Sequence, residues 1–180
     1  MENSFIREQI DLQKGEGHEW DLLNASSLYK KGLRKNNSKE EMIQSYLNAS
    51  KSMYYVFKKM NHPDPGLSVI WGNSLCIPFL FLCRHTIELS IKYYLEKSSI
   101  SFKSTHNIKV LYKKTNIKNE DYDELVNTFD ILDKTGTMLR YSVDNSDKEF
   151  REKPYFIKSD RIITYVEKLS KQLLESCNKQ

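Results

Sequence analysis

Arg84, His85, Glu88 and Lys92 stand at positions i, i+1, i+4 and i+8 of the stretch Arg84-His85-Thr86-Ile87-Glu88-Leu89-Ser90-Ile91-Lys92-Tyr93-Tyr94-Leu95. On a helix turning about 100° per residue they gather within about one quadrant. The row combines a guanidinium that binds negative charge, an imidazole that exchanges a proton near neutral pH, and a carboxylate. Around it, Leu80, Cys83, Ile87, Ile91 and Tyr94 form one apolar row, and Leu82, Leu89 and Tyr93 form another. A helix with two apolar rows is mostly buried, so its polar row must be paired inside the fold or open into a cleft. If it is paired, Glu88 binds Arg84 one turn away or Arg140 from far along the chain. If it is open, Arg84, His85 and Glu88 face RNA or a protein partner. His106 either buttresses the turn ahead of a short helix or brings a proton-transfer group beside Glu88.

Other chemistries find little support. Cys76, Cys83 and Cys177 include no C-x-x-C pair and join no His/Cys cluster, so no metal site is expected. Neither G-x-x-x-x-G-K nor G-x-G-x-x-G occurs, so no nucleotide cofactor is expected. The basic set Lys30, Lys31, Arg34 and Lys35, with Lys58 and Lys59, either engages phosphate or forms a solvated surface. The net charge of +4 permits nucleic-acid contact without demanding it.

The elements that position these groups are helical. With 180 residues, 6 Gly and 4 Pro, the composition favours one domain of long helices over a many-turned sheet. Residues 1–14 lack a signal-peptide core and no apolar run could span a bilayer, so a cytoplasmic location is the expectation. Trp20, Leu23, Leu28 and Tyr29 suggest a short helix within an N-terminal extension, 1–37. Ser38 and Glu41 form a capping box ahead of an amphipathic helix carrying Tyr46, Leu47, Ser50 and Tyr54, which His62-Pro63-Asp64-Pro65-Gly66 stops. A long central helix is predicted over 68–97, with Pro78 causing a kink or ending a lead-in helix near Ile77. Shorter helices are predicted over 107–114 and from Asn119 or Glu120 towards a stop at Gly136. The stretch 137–152 reads as irregular, Tyr155-Phe156-Ile157 as a brief strand, and Ser159 as the cap of a last helix with Ile162, Ile163, Val166, Leu169, Leu173 and Leu174 inward. The expected fold is all-α: an antiparallel bundle of four to five helices over 38–180, with a kinked central helix and a short β segment before the last one.

Three landmarks occur in order: Arg84-His85-x-Ile87-Glu88-Leu89-x-Ile91-Lys92, His106-Asn107-Ile108-x-x-Leu111, and Leu139-Arg140-Tyr141-x-x-Asp144. The series resembles the HEPN-like helical domains, from about Ser38 to Leu174. The resemblance implies a helical bundle, frequently a homodimer, tied to toxin–antitoxin pairs, abortive phage infection and RNA cleavage. Catalytic members of that family pair an Arg with a His four to six residues later, and such a site cleaves RNA without metal. Here the arginines are Arg7, Arg34, Arg84, Arg140, Arg151 and Arg161, and the histidines His18, His62, His85 and His106. No Arg precedes a His at that spacing. The resemblance therefore implies a module that dimerises and binds an antitoxin, another protein or RNA. The alternative is a metal-independent ribonuclease with an atypical site drawn from Arg84, His85, Glu88, His106 and Arg140.

Overall fold

A computed structural model of the chain describes residues 38–59, 68–69, 75–141 and 156–177. The expected N-terminal extension, its short helix and the basic set at 30–35 lie outside these residues, as does Asp144. The described residues form six helices: α1 (Ser38–Lys59), α2 (Cys76–Lys97), α3 (Ile108–Lys113), α4 (Glu120–Leu132), α5 (Met138–Tyr141) and α6 (Ser159–Cys177). Two residue pairs, Ser68 with Ile157 and Val69 with Phe156, join β1 (Ser68–Val69) antiparallel to β2 (Phe156–Ile157). The all-α bundle with a short strand before the last helix is thus observed. None of the described helices is long and apolar enough to cross a membrane.

α2 is the centre, packed between α1 and α6, with α3 and α5 also against it and α4 resting on α3 and α6. Of its first expected row, Leu80, Cys83, Ile87 and Ile91 are buried and Tyr94 is half-buried; of the second, Tyr93 is buried and Leu82 and Leu89 are half-buried. Thr86 and Ser90 are buried instead, with Ser50 of α1 lying 3.5 Å from the Thr86 hydroxyl. These short side chains let α1 approach closely. Each hydroxyl donates to the carbonyl one turn back: Ser50 to Tyr46, Thr86 to Leu82 and Ser90 to Thr86, all at 2.8 Å. Burial therefore leaves no donor unsatisfied there.

The break expected at Pro78 takes the form of a helix start. α2 begins at Cys76, so Pro78 falls in the first turn, where a missing N–H has no intrahelical partner to lose. Asn107 and Asn119 cap α3 and α4, their side-chain oxygens accepting from Val110 N at 3.0 Å and Tyr122 N at 3.2 Å. α4 stops at Leu132, four residues before the expected Gly136. The Asp133 carboxylate turns forward to accept from Met138 N at 3.0 Å and starts α5, a helical turn in a stretch expected to be irregular. On α6, Ile162, Ile163, Val166, Leu169 and Leu173 are buried as expected, and Leu174 is half-buried.

Candidate functional site

The guanidinium of Arg84 is the point on which the central elements converge. Its side chain is 2% exposed. Nη1 donates to Glu88 Oε2 at 3.0 Å, Nε donates to the Asp133 carbonyl at 3.1 Å, and Nη2 donates to the His106 carbonyl. The Asp133 carboxylate adds its charge 3.5 Å from Nε. One side chain of α2 therefore ties down the segment before α3 and the end of α4. Three acceptors and two carboxylates offset the desolvation of a buried cation.

Glu88 is equally enclosed, and its second oxygen faces outward. Oε1 accepts from Lys92 Nζ at 2.7 Å and lies 2.8 Å from His106 Nδ1. An ionised carboxylate only accepts, so Nδ1 carries the proton and Nε2 of neutral His106 holds the free lone pair. Burial works to raise the Glu88 pKa. The Lys92 hydrogen bond and charge, the His106 bond and Arg84 outweigh it, holding the group below its ordinary value. The His106 side chain is 55% exposed, so this dyad sits at the surface above a buried ion pair.

His85 and Arg140 stand in a different cluster. The His85 ring lies nearly parallel to Phe81, centroids 5.6 Å apart, and meets Tyr46 edge-on at 4.7 Å. Its Nδ1 is buried without a hydrogen-bond partner. Burial first, then the charges of Arg140, Arg84 and Lys92, lower its pKa against the opposing pull of Glu88. The guanidinium of Arg140, an exposed residue, lies over the Phe81 ring at 5.4 Å. Arg140 is thus not the partner of Glu88 that charge alone had suggested; Arg84, Lys92 and His106 fill that place. Tyr54 is buried, whereas Tyr55 is exposed.

Asp133 and Gly136 are site residues that sequence reasoning did not single out as such. Gly136 has φ of +80° and presses against the terminal nitrogens of Arg84. An acid closing an apolar helix, with a glycine three residues on, was the available signal. Among the described residues no group of three or more His, Cys, Asp or Glu is placed to hold a metal ion. A groove of about 210 Å3 between α4 and α6, lined in part by Asp121, Glu124, Arg161 and Tyr165, includes none of the predicted site residues.

The family model of the HEPN domain matches residues 78–175, more than half of the chain and the whole of the Arg84, Glu88, His106 and Arg140 set. No curated protein and no solved structure matches the chain.

Proposed function

The chain belongs to the HEPN domain family, and from that premise we propose that it is a partner-binding module of a bacterial defence or toxin–antitoxin system. It works as a homodimer and engages an antitoxin, another protein or RNA. The observation that carries this reading is the enclosure of Arg84. A guanidinium 2% exposed and bonded to Glu88, Asp133 and His106 has no access to a phosphate. In this reading the polar row of α2 serves as an internal clamp that shapes the surface, not as a nuclease centre.

The outward half of the clamp favours a second reading, a metal-independent ribonuclease. His106 has an exposed ring whose Nδ1 is held by Glu88, which leaves Nε2 to exchange a proton with a ribose hydroxyl or a leaving oxygen. Lys92 beside it, and Arg140 on the neighbouring cluster, supply positive charge for phosphate. A single comparison separates the two. Purified protein is incubated with structured RNA in EDTA, alongside His106→Ala and His85→Ala. RNA left intact by all three supports the binding module. Cleavage by the wild-type protein that His106→Ala abolishes replaces it with the ribonuclease.

A further inference from the structure

From Lys97 to Asn119 the chain holds six lysines and no Asp or Glu, although the whole sequence carries 24 acidic residues. Arg84 ties this stretch down through the His106 carbonyl, and Lys114 Nζ closes it on itself by donating to the Ser101 carbonyl at 2.9 Å. Lys97 lies over the Tyr93 ring, and Lys109 pairs with Asp130 of α4 at 3.6 Å. Lys103, Lys113 and Lys118 are exposed and have no ion pair among the described residues, as is also true of Lys134 beyond the end of α4. The acids of α4 are mostly engaged elsewhere: Asp121 and Glu124 bind Arg161 of α6, and Asp133 faces Arg84. Glu120 and Asp123, exposed in its first turn, are the acids left at one edge. The face between these lysines is apolar. α3 buries Ile108, Leu111 and Tyr112, which turns Val110 outward at 50% exposure, with Lys113 one turn on along the same side. α4 buries Val126, Phe129 and Leu132, which turns Ile131 outward at 68% exposure. Val110 and Ile131 each follow a member of the Lys109–Asp130 bridge, so they flank the seam between the two helices.

We infer that this face of α3 and α4 docks an acidic, partly apolar segment of another protein. The inference rests on the partner-binding module proposed above and names the surface that the Arg84 clamp shapes. An aliphatic centre ringed by unpaired cations complements a segment whose aliphatic side chains alternate with carboxylates. RNA fits the same face poorly. Bases need rings to stack on, and the stretch exposes no Phe, Tyr or Trp: Phe102 is half-buried and Tyr112 is buried. The ring it does expose, His106, is held by Glu88. Glu120 and Asp123 at the edge would repel a continuous run of phosphates, whereas a protein segment can set a polar or basic residue beside them. The clamp also lowers the cost of docking. A stretch fixed by a buried guanidinium has little freedom left to lose when a partner binds.

Fluorescence anisotropy of a labelled peptide, titrated with the full chain, tests the face. The peptide has leucine at every third or fourth position and glutamate between; a second peptide has glutamine in place of each glutamate. The acidic peptide binds and the glutamine peptide does not. Lys113→Glu with Lys118→Glu weakens binding about tenfold or more. Val110→Ser with Ile131→Ser weakens it as well, and helical content stays as in the wild type for both pairs. Lys168→Glu with Lys171→Glu, an equal change of net charge on exposed positions of α6, leaves binding unchanged. Equal losses from the two lysine pairs would mean that net charge alone attracts the peptide, and would overturn the face. No binding of the acidic peptide overturns it too, as does tighter binding of single-stranded RNA that Lys113→Glu with Lys118→Glu abolishes. The binding-module reading stands through each of these results and falls only to RNA cleavage in EDTA that His106→Ala abolishes.

Discussion

A Cβ placed on Gly136 would lie 3.1 Å from Nη1 and 3.1 Å from Nη2 of Arg84, and equally close to Cβ of His106. The loop after α4 is thus moulded onto the guanidinium, and it passes Gly136 with φ of +80°, a backbone region that side chains disfavour. Gly136→Ala should therefore combine backbone strain with displacement of Arg84 and cost about 1–3 kcal/mol. Urea unfolding measures this. A variant as stable as the wild type would mean that the guanidinium is not held against the loop.

Glu88→Ala removes the side-chain carboxylate one turn from Arg84 and leaves a buried cation short of a partner. The expected loss is about 3–5 kcal/mol, the range for breaking one side of an enclosed ion pair. Lys92→Ala should cost far less, because the Lys92 side chain is 22% exposed and solvent can replace its bond. Equal losses for the two variants in parallel denaturation curves would contradict the enclosure of Glu88.

Acid should destabilise the fold in two stages of the same sign. His85 titrates below its ordinary 6.5, chiefly through burial, so the unfolded chain takes up that proton first. Its contribution is complete above pH 6.5 and is lost as pH falls through the lowered value. Glu88 lies below its ordinary 4.5 despite burial, because Lys92, His106 and Arg84 favour the carboxylate. Its contribution is complete above pH 4.5 and disappears as pH falls through its own lowered value. Unfolding free energies measured from neutral pH downward should decline in both windows. His85→Gln should flatten the upper window alone.

What was legible depended on whether a side chain advertised its partner. Arg84 and Glu88 at i and i+4 announce their ion pair, because that bond is local and follows from helix geometry. Arg84's bonds to the carbonyls of Asp133 and His106 were not legible, since every residue carries a carbonyl and only tertiary folding selects two of them. Arg140 misled for a related reason. Charge nominated Glu88 as its partner, but the fold gave that carboxylate Lys92 and His106 and set Arg140 over Phe81. The second apolar row of α2 was overcounted because the small polar Thr86 and Ser90, whose hydroxyls bond within the helix, were the residues that let α1 come close.

The cysteines should report the packing of α2 directly. Burial pushes the Cys76 thiol up to about 12 and pushes Cys83, on the same face two turns on, up as well. Thiolate is the reactive species, so neither should react in the native protein except through opening of the bundle. Cys177, in the last turn of α6, is half-buried, and burial raises its pKa while the charge of Lys97 opposes the rise. A thiol reagent at neutral pH should therefore modify Cys177 first, with Cys76 and Cys83 following only at the rate at which α2 is exposed. In denaturant all three should react together. Two or three fast thiols in the native protein would place α2 at the surface and would remove the basis for an enclosed Arg84.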